Sequence, residues 1–496
     1  MDAGSNAIRL VIAAIEDGMP KPILRHREPV RLGHDAFTLG RFTDRTLDEA
    51  VAAFHQFRRL LDQHHADRVR AVATSATREA RNGAELASRI QEATGIRLEC
   101  ISGEEEARLV HLSISRRVDL SDRRALLMDI GGGSMEVTLT DDGEVTFSQS
   151  FKTGTVRLLE MLGGGRNFNR LLEEYVDATR RKFAEEMQEC RADICVGTGG
   201  NPGAIVELAR RTLNTPEADR IRRKDLARLI QRLEGMSFEQ RIHELGLRPD
   251  RADVILPAAM MIHAMMELTR CKTLIAPNAS LADGMLMDML ENAEGATRSR
   301  NQHLRATARR LMRKYHVDAR HAEQVCRLSL TLFDQLAPVH GMDKRERLIL
   351  EIASLTHEIG MFVRMSGHHR HAAYLLSAAP LPGLDADERA AVAQVVRYQR
   401  KAAPCQEHEG FASLDKAWRG RVWKLSALLR LAIALDKERR GRVREVRARH
   451  GKRKLLLHLD GEGDLLLERW AAMKQRDYFE QALGLRLEVA PTGAGR

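Results

Sequence analysis

The stretch from Met128 to Val137 reads MDIGGGSMEV. An apolar strand pattern, RALLMDI, runs into Asp129, three glycines follow, and a second strand pattern, MEVTLT, leads away. Three glycines let the backbone take positive φ and come close to a ligand. Successive N–H groups in such a turn form a concavity suited to phosphate. Asp129 then stands beside the phosphates, where a hard carboxylate oxygen can hold Mg2+ directly or through water. Ser134 adds a hydroxyl donor. The same residues also make an ordinary tight hairpin, so the turn alone is a weak motif.

A second copy strengthens it. The chain begins MDAGSNAIRL, again an aspartate, a turn of small residues and a returning strand. Two halves that each open on Asp-x-Gly and fold back point to an internal duplication, with two hairpins facing each other across a cleft. Around them the patterns alternate. The first half carries a helix (TLDEAVAAFHQFRRLLDQHH), a strand (RVRAVATSA), a helix (GAELASRIQEATG), a strand (RLECIS) and a helix (EEEARLVHLSISRR). The second adds the strand EVTFSQSF, the helix NRLLEEYVDATRRKFAEEM, the strand DICVG and the turn GTGGN opening a further helix. The expected fold class is α/β, duplicated and two-lobed, with lobes at 1–120 and 121–292 and a hinge near 110–123. ENAEGATRSRNQ then reads as a linker. An all-α domain is expected over 300–436. A small α+β cap follows over 437–496, with strands VREVRA, KLLLHL and LRLEV and one helix, LLLERWAAMKQRDYFEQAL.

Length and composition set bounds. A chain of 496 residues is too long for one ordinary core. Its 43% hydrophobic and 30% charged residues are those of a globular protein. An aromatic content of 4% argues against stacking platforms for single-stranded nucleic acid. Lys+Arg exceed Asp+Glu by 79 to 69, a balance that suits a polyanionic partner without identifying one. No nucleic-acid motif accompanies the charge, and no nucleic-acid partner is expected. The six cysteines form no CxxC pair, which removes zinc knuckles and redox pairs. LPAAMMIHAMMEL is short and contains His263 and Glu267, so it reads as a buried helix rather than a membrane span. No basic-then-apolar leader opens the chain, and the expected location is cytoplasmic.

Three more stretches carry chemistry. In ATSATREARN, Arg78 lies near a strand-to-helix turn, where guanidinium geometry suits phosphate. In SGEEEARL, Ser102 and Glu105 have the spacing of a capping box, which leaves Glu104 and Glu106. A carboxylate at a cleft can deprotonate an attacking water; spacing alone does not say which of the two faces it. GTGGN, residues 197–201, is a glycine-rich helix start of the kind that binds anions or nucleotides.

Taken in order, DAGSNAIRL, ATSATREARN, ISGEEEARL, MDIGGGSMEV, GTGGN and RADVILP resemble the exopolyphosphatase / guanosine pentaphosphate phosphohydrolase (Ppx/GppA) family. That family belongs to the actin-like and sugar-kinase superfamily, and the resemblance spans about residues 1–290. Its members remove the terminal phosphate of inorganic polyphosphate or of pppGpp, with Mg2+. The resemblance implies Glu106 as general base and Asp129, Glu136 and Asp2 at the metal. It places Ser5, Asn6, Gly131, Gly132, Gly133 and Ser134 around phosphates, with Arg78 and Arg251 as further phosphate contacts. Gly197, Thr198, Gly199 and Gly200 match a loop that holds a nucleotide in the kinase relatives. It also implies a homodimer. The chain departs from the family where LPAAM lacks a glycine after Leu-Pro and SLADGML lacks the usual arginine and glutamate. Only Met1 precedes Asp2, where relatives have several apolar residues. The first strand is therefore expected as a stub or the start as lying downstream of the true one, with Asp2 weakly anchored and Ser5–Asn6 the least secure part of the site.

Exopolyphosphatase activity is the expected function, with pppGpp hydrolysis on the same site as the alternative. A non-catalytic polyphosphate- or nucleotide-binding regulator and an ATP-using sugar-kinase-like transferase are the other classes. The glutamate-bearing helix favours hydrolysis over both. In the helical half, THEIG, with His357 and Glu358, resembles the His-Asp signature of HD phosphohydrolases, and His321, His371 and Asp436 lie in fitting order around it. The longer family members resemble this chain in carrying a degenerate HD-like domain, and a scaffold without a working metal site is expected. The run 437–454 holds ten Lys/Arg against two Glu. It reads as a solvated face or, more sharply, as a polyphosphate track.

Overall fold

Two sheets with the same connectivity build the chain up to His303. The computed structural model describes residues 1–16, 18–163, 167–187, 190–290, 293–379, 381, 383–451 and 453–490. The first sheet contains β1 (Asp2–Ala3), β2 (Ile8–Glu16), β3 (Met19–Glu28), β4 (Ala71–Ala73) and β5 (Leu98–Cys100), in the order β3-β2-β1-β4-β5. β1, β2 and β3 are antiparallel neighbours, and β4 and β5 add in parallel. The second contains β6 (Arg124–Ile130), β7 (Met135–Asp141), β8 (Glu144–Phe151), β9 (Ile194–Thr198), β10 (Arg220–Arg222) and β11 (Thr273–Ile275), in the order β10-β11-β9-β6-β7-β8. Here β6, β7 and β8 are antiparallel and β9 and β11 parallel, so the first sheet repeats strand for strand, with β10 added at an edge. The duplication read from the two Asp-x-Gly turns is thus a duplication of topology.

The helices that matter to the site are α1 (Ser75–Glu79), α2 (Gly103–Ser115), α3 (Gly200–Leu213), α4 (Ile255–Leu268) and α5 (Leu281–Leu290). Each sheet has its own apolar core. Phe42, Phe54 and Phe57 fill the first, and Met128, Ile130, Val137 and the buried face of α4 fill the second. A third cluster (Val72, Leu109, Val110, Leu127, Val196, Leu281 and Met285) joins strands of both sheets through α2 and α5.

Several expectations change. α2 runs to Ser115 and is buried through most of its length, so only 116–123 connects the lobes. The expected linker is instead the start of helix α6 (Ala293–Lys314), with residues 291 and 292 outside the described set. Alanine, arginine and glutamine are strong helix formers whatever their polarity, which a polarity reading overlooks. β1 is the expected stub of two residues, yet it lies between β2 and β4. The Met1 amine donates to the Arg70 carbonyl at 2.7 Å, and Asp2 is buried and held from both sides rather than weakly anchored.

The unit that begins at Leu304 is helical around α7 (Ala319–Gln335), α8 (Lys344–Thr356), α9 (His368–Ala378) and α10 (Lys416–Ala434). β12 (Val443–His450), β13 (Lys454–Gly461) and β14 (Arg486–Val489) form its sheet, and Val443, Leu455, Leu457 and Leu487 share one apolar cluster with the helices. The single helix expected before β14 is two, Leu466–Met473 and Arg476–Leu483. Much of the basic run is ion-paired: Arg439, Arg440, Arg442, Arg444, Arg447 and Lys454 each meet a glutamate. Lys452 lies outside the described residues. No helix among the described residues is long and apolar enough to cross a membrane.

Candidate active site

Three carboxylates converge where the two lobes meet. Asp129 on β6 and Glu136 on β7 are directly opposed across the antiparallel pair, so their side chains share a face. Glu106 enters from the first turn of α2. A ligand oxygen of each lies within 4.8 Å of the others. Like charges placed opposite each other on a strand pair are destabilising, so the sequence tolerates them here for something other than the fold.

The choice among the glutamates of α2 follows from their partners. Ser102 caps the helix by accepting from the Glu105 N–H at 3.2 Å. The expected reciprocal contact from Glu105 is absent, because its carboxylate accepts from Arg108 at 2.7 and 2.8 Å. Glu106 is the one turned inward, and its Oε2 is buried without a hydrogen-bond partner. Arg78 Nη1 is 3.9 Å from that oxygen. Burial, then the charges of Glu136 and Asp129, push the Glu106 carboxyl well above its usual range. Burial likewise raises Asp129 to about 6 and Glu136 to about 7. Glu136 Oε1 accepts from Ser150 Oγ at 2.7 Å, while its Oε2 has no partner. Clustered hard oxygens with two buried, unsatisfied atoms fit a divalent cation of the magnesium class. Asp2 lines the same cavity but pairs with Arg9 at 3.1 Å and stands outside the three-carboxylate group.

A cavity of about 260 Å³ opens beside the carboxylates. Ser5, Asn6, Gly131, Gly132, Ser134, Gly200 and Arg251 all line it. The 131–134 turn is fixed from behind. Thr155 N–H donates to the Gly131 carbonyl at 3.0 Å and Arg157 N–H to the Gly132 carbonyl at 2.9 Å. Ser5 Oγ and Ser75 Oγ lie 3.1 Å apart, and Asn6 Nδ2 donates to the Asp250 carbonyl at 3.2 Å. At Gly199 φ is 80°, and a Cβ there would come within 2.8 Å of Asp129 Oδ1, so both conformation and space require glycine. Arg251 donates to Asn201 Oδ1 at 2.5 Å, and burial lowers it to about 10.

Some expected contacts take other roles. Gly133 packs on Phe37 and Ser75, and Gly197, inside β9, packs on Pro202. Thr198 Oγ1 donates to the Met128 carbonyl at 3.3 Å. Arg78 does not line the cavity; it donates to the Ile101 carbonyl at 2.6 Å and stands 3.9 Å from the Glu106 carboxylate. The sequence reading missed the cationic wall. Arg9 on β2 is paired with Arg27 on β3, and Arg25 follows the strand period of two, so all three share one face. They line the cavity with Arg248. The signal was RHR within a strand, legible only once the hairpin register is known.

An anion-binding turn on each lobe, with carboxylates held between them, is the arrangement of an enzyme that moves or releases phosphate on an actin-like fold. The chain belongs to the Ppx/GppA phosphatase family: the family's sequence model matches residues 11–293, and that of its domain III matches 304–471. It is a hydrolase of phosphoanhydrides, the class expected from the ordered motifs. It is similar to a guanosine-5'-triphosphate,3'-diphosphate pyrophosphatase of Pseudoalteromonas atlantica, 27% identical over 453 residues, which span 89% of this chain and 86% of the relative. It is also similar to the crystal structure of an exopolyphosphatase from Cytophaga hutchinsonii, 27% identical with a TM-score of 0.55, over 58% of this chain and 96% of that one. A Ppx/GppA family member from Aquifex aeolicus, 23% identical with a TM-score of 0.50, shares the fold over 58% of this chain and 96% of its own.

Proposed function

We propose that the chain hydrolyses the terminal phosphoanhydride of inorganic polyphosphate, with Glu106 as the base that deprotonates the attacking water. The observation that carries the reading is the pairing of Glu106, whose buried Oε2 has no hydrogen-bond partner, with the arginine wall. Arg9, Arg25, Arg27, Arg248 and Arg251 line a cavity that has no aromatic side chain on it among the described residues. A wall of guanidinium groups suits a run of phosphates, and no aromatic ring among the described residues lines the cavity for a purine to stack on. Asp129 and Glu136, with Glu106 beside them, would hold the divalent cation, whose chemistry when bound is to neutralise charge on the phosphoryl oxygens. The hairpin amides of 131–134 and Ser5 position the terminal phosphate, and phosphoryl transfer depends mainly on such positioning and charge neutralisation. Ser150 fixes Glu136, and the Arg78 guanidinium lies beside the Glu106 carboxylate.

Initial rates of phosphate release from long-chain polyphosphate and from pppGpp, side by side with Mg2+, test the reading. A larger kcat/KM on polyphosphate is expected; a larger value on pppGpp favours the second reading. That reading rests on the Gly199–Gly200 helix start and on the similarity to the Pseudoalteromonas protein over nearly the whole chain. Release from neither substrate would leave the regulator class.

The carboxylates also give a pH signature. Asp129 at about 6 and Glu136 at about 7 lie above the unfolded carboxylate values. Their contribution to stability in the ion-free chain is therefore full below about pH 4 and is lost as pH rises through 6 and 7. Mg2+ is expected to raise the Tm of the full chain more at pH 8 than at pH 5. Equal shifts at both would contradict the cation-binding role of the cluster.

A further inference from the structure

The second unit holds a side-chain cluster that the chemistry of the cleft does not use. His321 lies in the first turn of α7, His357 directly follows α8, and Glu358 comes next. All three are buried, and one ligand atom of each lies within 4.8 Å of the others. Each imidazole has one nitrogen committed. His321 Nδ1 is 2.7 Å from Asp436 Oδ2, and His357 Nδ1 is 2.7 Å from the Ser354 carbonyl oxygen. Those acceptors place the ring proton on Nδ1 and leave the lone pair on Nε2. His357 Nε2 is buried with no hydrogen-bond partner. Burial lowers His357 to about 4, so the ring is neutral at ordinary pH. Other buried histidines, His369 among them, also carry an unsatisfied nitrogen; what marks His357 is a ligand atom within 4.8 Å of those of His321 and Glu358.

Glu358 completes the set. Its Oε1 is 3.9 Å from His321 Nε2, and Arg439 donates to both of its oxygens. Burial alone would raise its carboxyl, but Arg439 holds it below the usual range and so keeps it charged. A carboxylate offers about four lone-pair sites, so the guanidinium leaves room for a cation. A carboxylate or a backbone carbonyl behind each imidazole is the outer support that orients metal-bound histidines. Gly360 lets the start of α9 close on this corner, since a Cβ there would sit 2.1 Å from the His368 carbonyl oxygen. His368 thereby reaches the cavity wall; His371, one turn further on, does not line it.

We infer that His321, His357 and Glu358 hold a first-row transition-metal ion of the zinc class, and that its open position takes a phosphate-bearing anion. Two nitrogens and a carboxylate suit zinc rather than magnesium, and three protein ligands leave a fourth position free. The cavity they face measures about 460 Å³. Six Lys/Arg line it, Arg400, Lys401, Lys437 and Lys474 among them, against only Glu358 and Asp436 as acids among the described residues. This site is separate in residues and in donor chemistry from the all-oxygen cluster of the first unit.

The test uses the full chain, stripped with a chelator and titrated with Co2+ as a spectroscopic stand-in for zinc. One equivalent is expected to give the visible absorption of nitrogen-ligated, low-coordinate Co2+, and inorganic phosphate is expected to shift it. His357→Ala should abolish the bands, and Asp436→Asn should weaken binding about 10–100-fold. Mg2+-dependent phosphatase turnover and far-UV circular dichroism should stay close to wild type in both. Glu358→Gln provides a second ligand variant should His357→Ala fold poorly. Absent bands, or bands that survive His357→Ala or Glu358→Gln, overturn the metal site. Bands that phosphate leaves unchanged overturn the anion position.

Discussion

Glu106→Gln is expected to lower kcat for phosphate release by about 10²–10⁴-fold, the range a positioned general base contributes. The same substitution is expected to leave the fold intact and Tm unchanged or raised. Burial first, and then the charges of Glu136 and Asp129, push the proton affinity of this carboxyl up. A neutral amide of the same shape removes that repulsion along with the basicity. Activity should thus fall with no loss of stability, which a purely structural role for Glu106 would not produce. Thermal melts and initial rates on one preparation check both. Near wild-type turnover would remove Glu106 from the mechanism. Glu104→Gln is the internal control, since Glu104 stands outside the carboxylate cluster and should turn over normally.

The second large effect belongs to a residue with no side chain. Gly284 in α5 faces the backbone of α2, where an added Cβ would lie 2.0 Å from the Leu109 carbonyl oxygen. Backbone cannot swing aside as a flexible side chain can. Gly284→Ala therefore forces the two helices apart, an overpacking expected to cost about 1–3 kcal/mol. Leu109 is three residues from Glu106 on the same helix, so the displacement reaches Glu106. A shift of about 1 Å at a reacting group can cost about 10²-fold in rate. A lowered Tm is expected together with a fall in kcat at temperatures where the variant is still folded. Unchanged Tm and rate would mean that α2 is not positioned by this crossing. The tight crossing also gives a physical reason for the glycine of SLADGML.

Much of the catalytic half was legible because its signals are local. Asp-x-Gly turns, a capped helix and a glycine-rich helix start are each written within a few residues. Their repetition in order carries both the duplicated sheet and the family. The parts that stayed hidden depend on register or on distance. Arg9, Arg25 and Arg27 become one wall only when β2 and β3 pair as they do, and a slip of one residue would turn each to the other face. Ser150 meets Glu136 through the pairing of β8 with β7. Arg78 sits on the expected turn, yet its guanidinium donates to the Ile101 carbonyl and does not line the cavity. In the second unit the order of histidines pointed to His371, while the close approach at Gly360 brings His368 to the wall instead.

Hydrolysis of long-chain polyphosphate in H2¹⁸O with Mg2+ tests the central claim most directly, with the released phosphate and the shortened chain analysed separately by mass spectrometry. Water activated by Glu106 and attacking the terminal phosphorus places one ¹⁸O in each released phosphate and none in the remaining chain. Label in the remaining chain, or no phosphate released, would contradict it.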